Sequence, residues 1–329
     1  MNEPRTPIQV SVIVPTCRRP DLLARCLRAL LAQDFPADAY EIIVCDDAAS
    51  IGTQRQVQAL AARQRGGPRV SYLAVRGTRG PAAARNLGWR QAQGDIIAFT
   101  DDDTIARPDW LAQGVLALQP GVHAVAGRTE MPIPAVPTDY ERDAAGLTRA
   151  EFITANCFVR RTALEEVGGF DSRYTMAWRE DSDLFFALLE RGMQVVRAPQ
   201  ARVLHPVRPA PFAAGLRMQK KVMYDVLLYR KYPGLYRARV RPRPPWFYLA
   251  VALSLAAALA AALAGRWTAA AMLAGVWLAL TAWFFARRLA GVSHAPRHVA
   301  ELALTSAAIP VLSIAWRVVG VVRYGARFP

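Results

Sequence analysis

Acidic residues are almost missing from the C-terminal part of this chain of 329 residues. Residues 201–329 contain two, Asp225 and Glu301, against 18 lysines and arginines, whereas residues 1–200 contain 24 acidic and 23 basic residues. The net charge of +15 therefore arises in the C-terminal part. Intrinsic disorder is excluded because 53% of the residues are hydrophobic. The basic residues flank long apolar runs, which argues against a nucleic-acid partner and favours membrane lipids.

Cysteine is also scarce, and a secretory signal is not evident. The four cysteines lack the paired spacing of zinc ligands, and they are Cys17, Cys26, Cys45 and Cys157. The first residues are polar and contain proline, and the apolar run at 8–15 is too short for a secretory segment. We therefore expect reduced thiols in a cytosolic catalytic body.

Two charge-free apolar runs follow at about 246–264 and 267–286. Each has the length of a membrane-spanning helix, and only Gly265 and Arg266 separate them, so they predict a transmembrane hairpin. Four arginines precede the first run and two follow the second, which places the N-terminal body and the C-terminus in the cytoplasm. The alternative is a buried hairpin in the core of a soluble protein.

Two further segments have mixed apolar and charged character. Residues 299–322 contain Glu301, Pro310 and Arg317 and predict either an interfacial helix or a third span. Residues 211–245 predict a basic amphipathic linker at the membrane, or one packed against the catalytic body. The expected organisation is a catalytic domain at 1–210, the linker at 211–245 and a membrane region at 246–329, in a multi-pass protein of the cell membrane.

The N-terminal body lacks both G-x-G-x-x-G after its first strand and the G-x-x-x-x-G-K-[ST] motif, so dinucleotide and P-loop sites are not supported. Short apolar runs at 9–14, 41–45, 70–75 and 95–99 alternate with helical patterns, which predicts an α/β fold with a mostly parallel sheet. Acidic residues follow two of these strands, Asp46-Asp47 and Asp101-Asp102-Asp103. Because such sheets bind ligands at the carboxyl ends of their strands, both clusters are expected in one crevice.

Three consecutive carboxylates repel one another unless a cation or water screens them. In an extended backbone Asp101 and Asp103 point to the same side, and their oxygens suit Mg²⁺ or Mn²⁺. A solvated acidic turn is the alternative interpretation.

The chain resembles the family 2 glycosyltransferases over roughly residues 10–206. The resemblance rests on the order of several segments, namely Asp46-Asp47, Arg79-Gly80 through Arg85-Asn86, Phe99-Thr100-Asp101-Asp102-Asp103, Gly168-Gly169-Phe170-Asp171 and Trp178-Arg179-Glu180-Asp181-Ser182-Asp183-Leu184. It implies a GT-A fold and an inverting transfer from a nucleotide-diphosphate sugar.

The resemblance also implies roles for individual residues. Pro15 and Thr16 would line the nucleotide site, Asp46 or Asp47 would contact the base, and Arg85 and Asn86 would flank the donor. Asp101 to Asp103 correspond to the D-x-D motif, in which Asp101 and Asp103 hold Mn²⁺ or Mg²⁺ and Asp102 belongs to the donor site. Asp181 matches the general base with Glu180 beside it, and His205 matches a further metal ligand used by some members. His205 as a purely structural histidine is the alternative.

Asp183 follows Asp181 by two residues, roughly 200° around a helix, so both cannot face one acceptor. The Q-x-x-R-W motif of processive synthases is missing, since Gln219 is followed by Lys220, Lys221 and Val222. We therefore expect transfer of a single sugar to a lipid-linked or glycan acceptor. The alternatives are transfer to a polyprenyl phosphate, two-carboxylate glycoside hydrolysis, and a catalytically silent membrane scaffold.

Overall fold

The computed structural model describes residues 7–64, 66–77 and 79–329, which form two compact units. The first unit contains the described residues up to Pro132 together with Gly146–Pro206, and the second contains Ile133–Ala145 and Val207–Pro329. The segment 211–245 lies in the second unit with the long apolar helices. The division of the sequence into three domains stays a prediction.

The first unit is built on one sheet. Its strands are β1 (Val10–Thr16), β2 (Tyr40–Asp46), β3 (Arg69–Ala74), β4 (Ile96–Thr100), β5 (Ile105–Ala106), β6 (Val122–Glu130), β7 (Asn156–Arg160) and β8 (Gln194–Leu204). Their order across the described sheet is β3-β2-β1-β4-β7-β6-β8-β5. The predicted α/β class is confirmed.

The α-helices of the described residues follow in chain order. They are α1 (Pro20–Leu31), α2 (Ile51–Arg63), α3 (Pro81–Gln91), α4 (Trp110–Ala117), α5 (Asp139–Ala145), α6 (Arg161–Val167), α7 (Glu180–Glu190), α8 (Ala214–Met218), α9 (Met223–Lys231), α10 (Pro233–Arg239), α11 (Trp246–Leu263), α12 (Trp267–Leu289) and α13 (Pro296–Tyr324). Short 3₁₀ helices cover Gly146–Arg149 and Gln219–Val222.

The sheet is mixed rather than parallel throughout. Strands β3, β2, β1 and β4 are parallel neighbours, whereas β7 is antiparallel to both β4 and β6. Strand β8 then pairs in parallel with β6 and antiparallel with the short β5. Strands β1, β2 and β4 are buried and rich in β-branched residues, as their cover by helices requires, whereas the edge strand β3 is partly exposed.

The strand arrangement decides where the functional side chains lie. Strands β1, β2 and β4 run in parallel, so their carboxyl ends at Thr16, Asp46 and Thr100 lie on one edge of the sheet. Strand β8 runs parallel to β6 and ends at Leu204, directly before His205, whose N–H donates to the carbonyl of Glu130 at 2.8 Å. Strand β8 pairs with β6 in an irregular register, which shifts between the β6 residues Gly127 and Arg128.

The second unit contains three helices that are long and apolar enough to cross a membrane, α11, α12 and α13. The first two coincide with the predicted hairpin, and Gly265 with a φ of 72° forms the turn between them. The predicted segment 299–322 lies within α13, which has 29 residues and continues through the buried Pro310. These helices are compatible with membrane anchoring.

Candidate active site

The three consecutive carboxylates lie in a tight turn directly after β4. The hydroxyl and the N–H of Thr104 both donate to the carbonyl oxygen of Asp101, at 2.8 and 3.2 Å. The hydroxyls of Thr100 and Thr104 lie 2.6 Å apart beneath the turn. Because the backbone turns here, the carboxylates of Asp101, Asp102 and Asp103 have different partners.

Asp101, Asp103 and His205 form a candidate metal site, with ligand atoms that lie within 4.8 Å of one another. The Nε2 atom of His205 is 3.4 Å from the Oδ1 atom of Asp103. The Nδ1 atom of His205 is buried and has no hydrogen-bond partner among the described residues. Two carboxylates and one imidazole fit a hard or borderline cation such as Mg²⁺ or Mn²⁺. The sequence-predicted ligand set is therefore brought together in one place.

Asp102 points away from this group toward the end of β1. It accepts hydrogen bonds from the hydroxyl of Thr16 at 2.7 Å and from the guanidinium of Arg19 at 3.1 Å. Burial raises the pKa of the Asp102 carboxyl, while Thr16 and Arg19 oppose that change. Asp102 thus fastens the acidic turn to the first strand, and Pro15 and Thr16 lie directly beside it.

Arg19 was not among the residues predicted from the sequence. Its guanidinium lies 3.1 Å from Asp102 and 3.9 Å from Asp103, and its side chain is partly exposed. The available signal was its position just after β1, on the sheet edge that also carries the acidic turn. Arg19 thus places a partly exposed cation beside the candidate metal site.

Arg85 on α3 connects the acidic turn with α7. This buried side chain donates to Asp101 at 2.7 Å and to Glu180 at 3.2 Å. Burial lowers the pKa of the guanidinium, but the two carboxylates more than offset that effect and raise the pKa above its ordinary value. Its guanidinium also lies over the ring of Phe170 at 5.8 Å. A single cation therefore joins one candidate metal ligand to the residue beside the predicted base.

Glu180 and Asp181 open helix α7. The preceding residue, Arg179, has a left-handed φ of 72°, an uncommon conformation for a residue with a side chain. Burial raises the pKa of Glu180, with the charge of Asp181 adding to the effect and Arg85 opposing it. Burial also raises the pKa of Asp181, although the N–H of Ser182 donates to its Oδ1 atom at 2.6 Å. Asp181 remains partly exposed, whereas Glu180 is buried.

Asp183 lies on the buried side of α7. It accepts a hydrogen bond from the hydroxyl of Tyr174 at 3.1 Å, and its own N–H donates to the carbonyl of Arg179 at 2.8 Å. As the helical spacing predicts, Asp181 and Asp183 point in different directions. Asp183 is buried, whereas Asp181 is partly exposed.

Asp46 and Asp47 have different surroundings at the end of β2. The fully buried Asp46 accepts hydrogen bonds from the N–H groups of Ala48 and Ser50 and from the hydroxyl of Tyr72. Asp47 is partly exposed and accepts from the N–H of Gly80 at 2.9 Å. Of the two predicted contacts to the nucleotide base, we therefore favour Asp47 and assign Asp46 to the turn.

The side-chain amide of Asn86 forms its hydrogen bonds within the protein. Its amide nitrogen donates to the carbonyl of Phe170 at 2.7 Å, and its amide oxygen accepts from the N–H groups of Phe170 and Trp89, both at 2.9 Å. These contacts fix the loop that follows Gly169. The side chain gives no support to the predicted contact with the donor, and we assign it to positioning that loop.

Gly80 allows α3 to approach the loop before α7. It has a φ of 100°, and a Cβ atom there would lie 2.5 Å from the carbonyl oxygen of Thr175. We expect Gly80→Ala to lower the free energy of unfolding by about 1–3 kcal/mol more than Gly77→Ala, because overpacking adds to the backbone strain. Gly77 is a matched control with a φ of 88° and no atom within 4 Å of the added Cβ. Chemical unfolding of both variants measures the difference, and equal losses would show that the close approach is unimportant.

Sequence profiles of two glycosyltransferase groups match the chain. The profile described as "Glycosyl transferase family 2" matches residues 11–170, and the one described as "Glycosyl transferase family group 2" matches residues 96–286. The second match alone covers more than half of the chain and includes the acidic turn, α7 and the predicted hairpin.

Two curated relatives are similar in sequence. "Glycosyltransferase AglE" of Haloferax volcanii is 29% identical over 223 residues, which cover 65% of this chain and 71% of that protein. "GalNAc(5)-diNAcBac-PP-undecaprenol beta-1,3-glucosyltransferase" of Campylobacter jejuni is 37% identical over 110 residues, which cover 33% of this chain and 32% of that protein. The second likeness therefore spans only about a third of either protein.

Two solved structures share the fold. The mannosyltransferase PcManGT from Pyrobaculum calidifontis, in complex with GDP-Man and Mn²⁺, has a TM-score of 0.58 and 25% identity, covering 96% of this chain and 89% of its own. TarS 1–349 of S. aureus, in complex with UDP, has a TM-score of 0.51 and 15% identity, covering 98% and 93%. Together with the profile matches and the GT-A arrangement of the first unit, these likenesses show that the chain belongs to the family 2 glycosyltransferases.

Proposed function

We propose that this glycosyltransferase moves one sugar from a nucleotide-diphosphate sugar to a lipid-linked or glycan acceptor at the cytoplasmic face of the membrane, with inversion and with a bound divalent cation. The observation that carries the proposal is the arrangement around Arg85. This one buried cation bonds to Asp101 of the candidate metal site and to Glu180, the neighbour of Asp181. Cation site and base candidate therefore belong to one structural assembly.

The donor would bind at the carboxyl ends of β1, β2 and β4. Asp47 is partly exposed and suited to a hydrogen bond from the nucleotide base, while Pro15 and Thr16 form the end of β1 beside it. Arg19 lies beside Asp102 and Asp103, where it can pair with diphosphate oxygens. A metal ion held by Asp101, Asp103 and His205 supplies charge stabilisation to the leaving diphosphate when bound.

The acceptor hydroxyl needs a base because an alcohol is a poor nucleophile at neutral pH. In the proposed step, the Asp181 carboxylate takes the hydroxyl proton as the acceptor oxygen bonds to the anomeric carbon. The bond from that carbon to the diphosphate oxygen breaks at the same time, and the electron pair leaves with the nucleotide diphosphate. One displacement of this kind inverts the anomeric configuration. The raised pKa of Asp181 makes its carboxylate a stronger base than an ordinary aspartate.

A lipid-linked acceptor is favoured by two observations. The second unit contains apolar helices with the dimensions of membrane spans, and the name of the Campylobacter relative describes an undecaprenol-linked glycan as its acceptor. Such an acceptor keeps its sugar at the membrane surface, where an anchored catalytic unit can reach it.

The test uses the full chain in lipid nanodiscs with Mn²⁺ or Mg²⁺, a panel of UDP- and GDP-sugars, and three acceptors. The acceptors are a polyprenyl-diphosphate-linked oligosaccharide, a polyprenyl phosphate and a soluble oligosaccharide. We expect one nucleotide diphosphate released per sugar added to the diphosphate-linked glycan, with the opposite anomeric configuration by NMR. Retention of configuration would reject the single displacement, and transfer only to the polyprenyl phosphate would establish the alternative acceptor.

A further inference from the structure

Most polar residues of α13 are turned inward, and its outward side is apolar except for Arg297 and Arg323 near the ends. The buried positions include Thr305, Ser306, Ser313 and Arg317 beside the apolar Leu302 and Ile309, while Leu304, Val318 and Val322 are exposed by 48, 49 and 79%. Exposed residues of a water-facing helix have the opposite character. The outer side of α13 is therefore matched to hydrocarbon.

The inward side of α13 is paired with the segment that precedes the hairpin. The guanidinium of Arg317 lies 3.4 Å from the carboxylate of Asp225 on α9, and both side chains are buried. Near the other end of α13, Glu301 accepts a hydrogen bond from the N–H of Ala213 at 2.9 Å. Glu301 and Arg317, the charged residues that made residues 299–322 ambiguous as a span, therefore face Ala213 before α8 and Asp225 on α9.

The base of the hairpin is defined by aromatic contacts between the start of α11 and the end of α12. The ring of Phe247 lies 5.0 Å from that of Trp283, and the ring of Tyr248 lies 5.6 Å from that of Phe284. Arg288 follows Phe284 by one helical turn. Tyr248 and Arg288 therefore mark nearly the same level along the hairpin.

Helix α13 runs beside the basic segment that contains α8 and α9. The ammonium of Lys220 lies 5.7 Å from the ring of Trp316, a Cβ atom on Gly215 would lie 3.5 Å from Ile309, and one on Gly320 would lie 2.8 Å from the carbonyl oxygen of Met223. Together with the contacts of Glu301 and Arg317, these approaches follow most of the length of α13. At the level marked by Arg288, the guanidinium of that residue donates to the hydroxyls of Thr305 at 2.9 Å and Ser306 at 3.1 Å. Charged side chains are costly in hydrocarbon, and the segment beside α13 carries Arg217, Lys220, Lys221, Arg230 and Lys231, so this segment and the helix along it belong at the membrane surface.

The rest of the hairpin agrees with this arrangement. In the most apolar 18-residue stretch of α11 and of α12, 11% of the residues are buried, compared with 39% in the corresponding stretch of α13. Leu253, Val276 and Leu278 in the hairpin are exposed. A third span packed along the hairpin would cover part of this surface.

From this geometry we infer that α13 is not a third span but lies in the plane of the membrane surface, with Leu304, Val311, Val318 and Val322 in contact with the lipid of one leaflet. These four residues recur at helical spacing along one side. Arg297 and Arg323 near the ends of the helix suit lipid phosphates. The C-terminus then stays on the same side of the membrane as the residues that precede the hairpin, and Arg323 and Arg327 agree with the positive-inside rule, which a third crossing would violate.

The first test measures depth along α13. Single nitroxide labels at Leu304→Cys, Val311→Cys, Val318→Cys and Val322→Cys are introduced into a Cys17→Ser background and reconstituted into phosphatidylcholine–phosphatidylglycerol vesicles. We expect similar, shallow depths for all four by collision with oxygen and a nickel chelate, with Leu253→Cys as the deep control. Residues 304 and 322 are about 27 Å apart, so depths that pass through the bilayer centre between them would overturn the inference.

The second test measures sidedness and needs no assumption about catalysis. Arg266→Cys at the hairpin turn and Arg327→Cys near the C-terminus are exposed in turn to a membrane-impermeant maleimide in intact and permeabilised cells. Both variants also carry Cys17→Ser, because Cys17 is exposed, and the buried Cys26, Cys45 and Cys157 then provide a low background. We expect the two positions to react from opposite sides of the membrane. Reaction of both from the same side would show that α13 crosses it.

Discussion

Replacing Asp181 by asparagine is expected to lower turnover by about 10²–10⁴-fold, the usual contribution of a general base, while donor binding is retained. Asparagine has nearly the same shape but cannot accept the proton of the acceptor hydroxyl. The measurement pairs nucleotide diphosphate release during transfer with calorimetric donor binding in the presence of Mn²⁺. Loss of both would point to a folding defect rather than to a missing base.

Asp183→Asn is the matched control on the same helix. Its carboxylate accepts the Tyr174 hydroxyl inside the fold, so we expect a lower melting temperature with little change in turnover of the folded fraction. A larger loss of turnover in Asp183→Asn than in Asp181→Asn would exchange the two assignments. If Asp181→Asn keeps its full rate, the acceptor needs no base, as holds for an already ionised polyprenyl phosphate.

The pH profile adds an independent readout. Burial raises the pKa of Asp181, so the group loses its ionised, base-competent form at a pH above the ordinary range of an aspartate. Turnover in the native enzyme should therefore fall as the pH drops through this raised pKa, and the acidic limb should disappear in Asp181→Asn. An unchanged limb in the variant would assign it to another group.

The acidic turn could be located from the sequence because its position depends on chain direction, whereas His205 was predicted from the family resemblance. Parallel strands bring their carboxyl ends to one edge, so residues that follow β1, β2 and β4 must be neighbours. His205 follows the same rule at the end of β8. The order of the segments along the chain indicated the glycosyltransferase family, and the family implied the GT-A fold.

The partners of individual side chains could not be predicted in this way. Asp46 and Asp47 are adjacent in the sequence, yet one is saturated by a turn and the other is partly exposed. Arg85 joins residues 101 and 180, and Asn86 holds Phe170, because α3 packs against loops that are distant in the chain. Such contacts depend on tertiary packing, which apolar periodicity does not encode. The antiparallel direction of β7 also depends on tertiary packing.

The membrane region illustrates the opposite limit. Length and charge were sufficient to place α11 and α12, because both helices are apolar on all sides. Length and charge were insufficient to place α13. Its Arg317 pairs with Asp225, and its Glu301 accepts a hydrogen bond from the N–H of Ala213. Hydropathy averages over both sides of a helix, and only the structure separates its apolar outer side from its polar inner side.

Removing the metal site is expected to have the second large effect. In Asp103→Asn we expect Mn²⁺ affinity to fall by at least tenfold and turnover at a fixed Mn²⁺ concentration to fall by about 10³-fold, since a cation at the diphosphate contributes several kcal/mol to the transition state. Asp103 is buried beside His205, so an amide there leaves the imidazole in place but removes an anionic ligand. Manganese binding is measured by electron paramagnetic resonance, independently of activity.

Asp102→Asn is the control that separates metal binding from the charge of the turn. Asp102 bonds to Thr16 and Arg19 rather than to the ligand group, so its loss should change Mn²⁺ affinity much less than Asp103→Asn and should weaken the donor site instead. Equal losses of affinity in both variants would mean that the cation responds only to the summed charge of the turn. Full turnover with the cation chelated would reject the metal role of Asp101, Asp103 and His205 altogether. In that case Arg19 and Arg85, which lie beside the acidic turn, would be the first candidates to offset the charge of the leaving diphosphate.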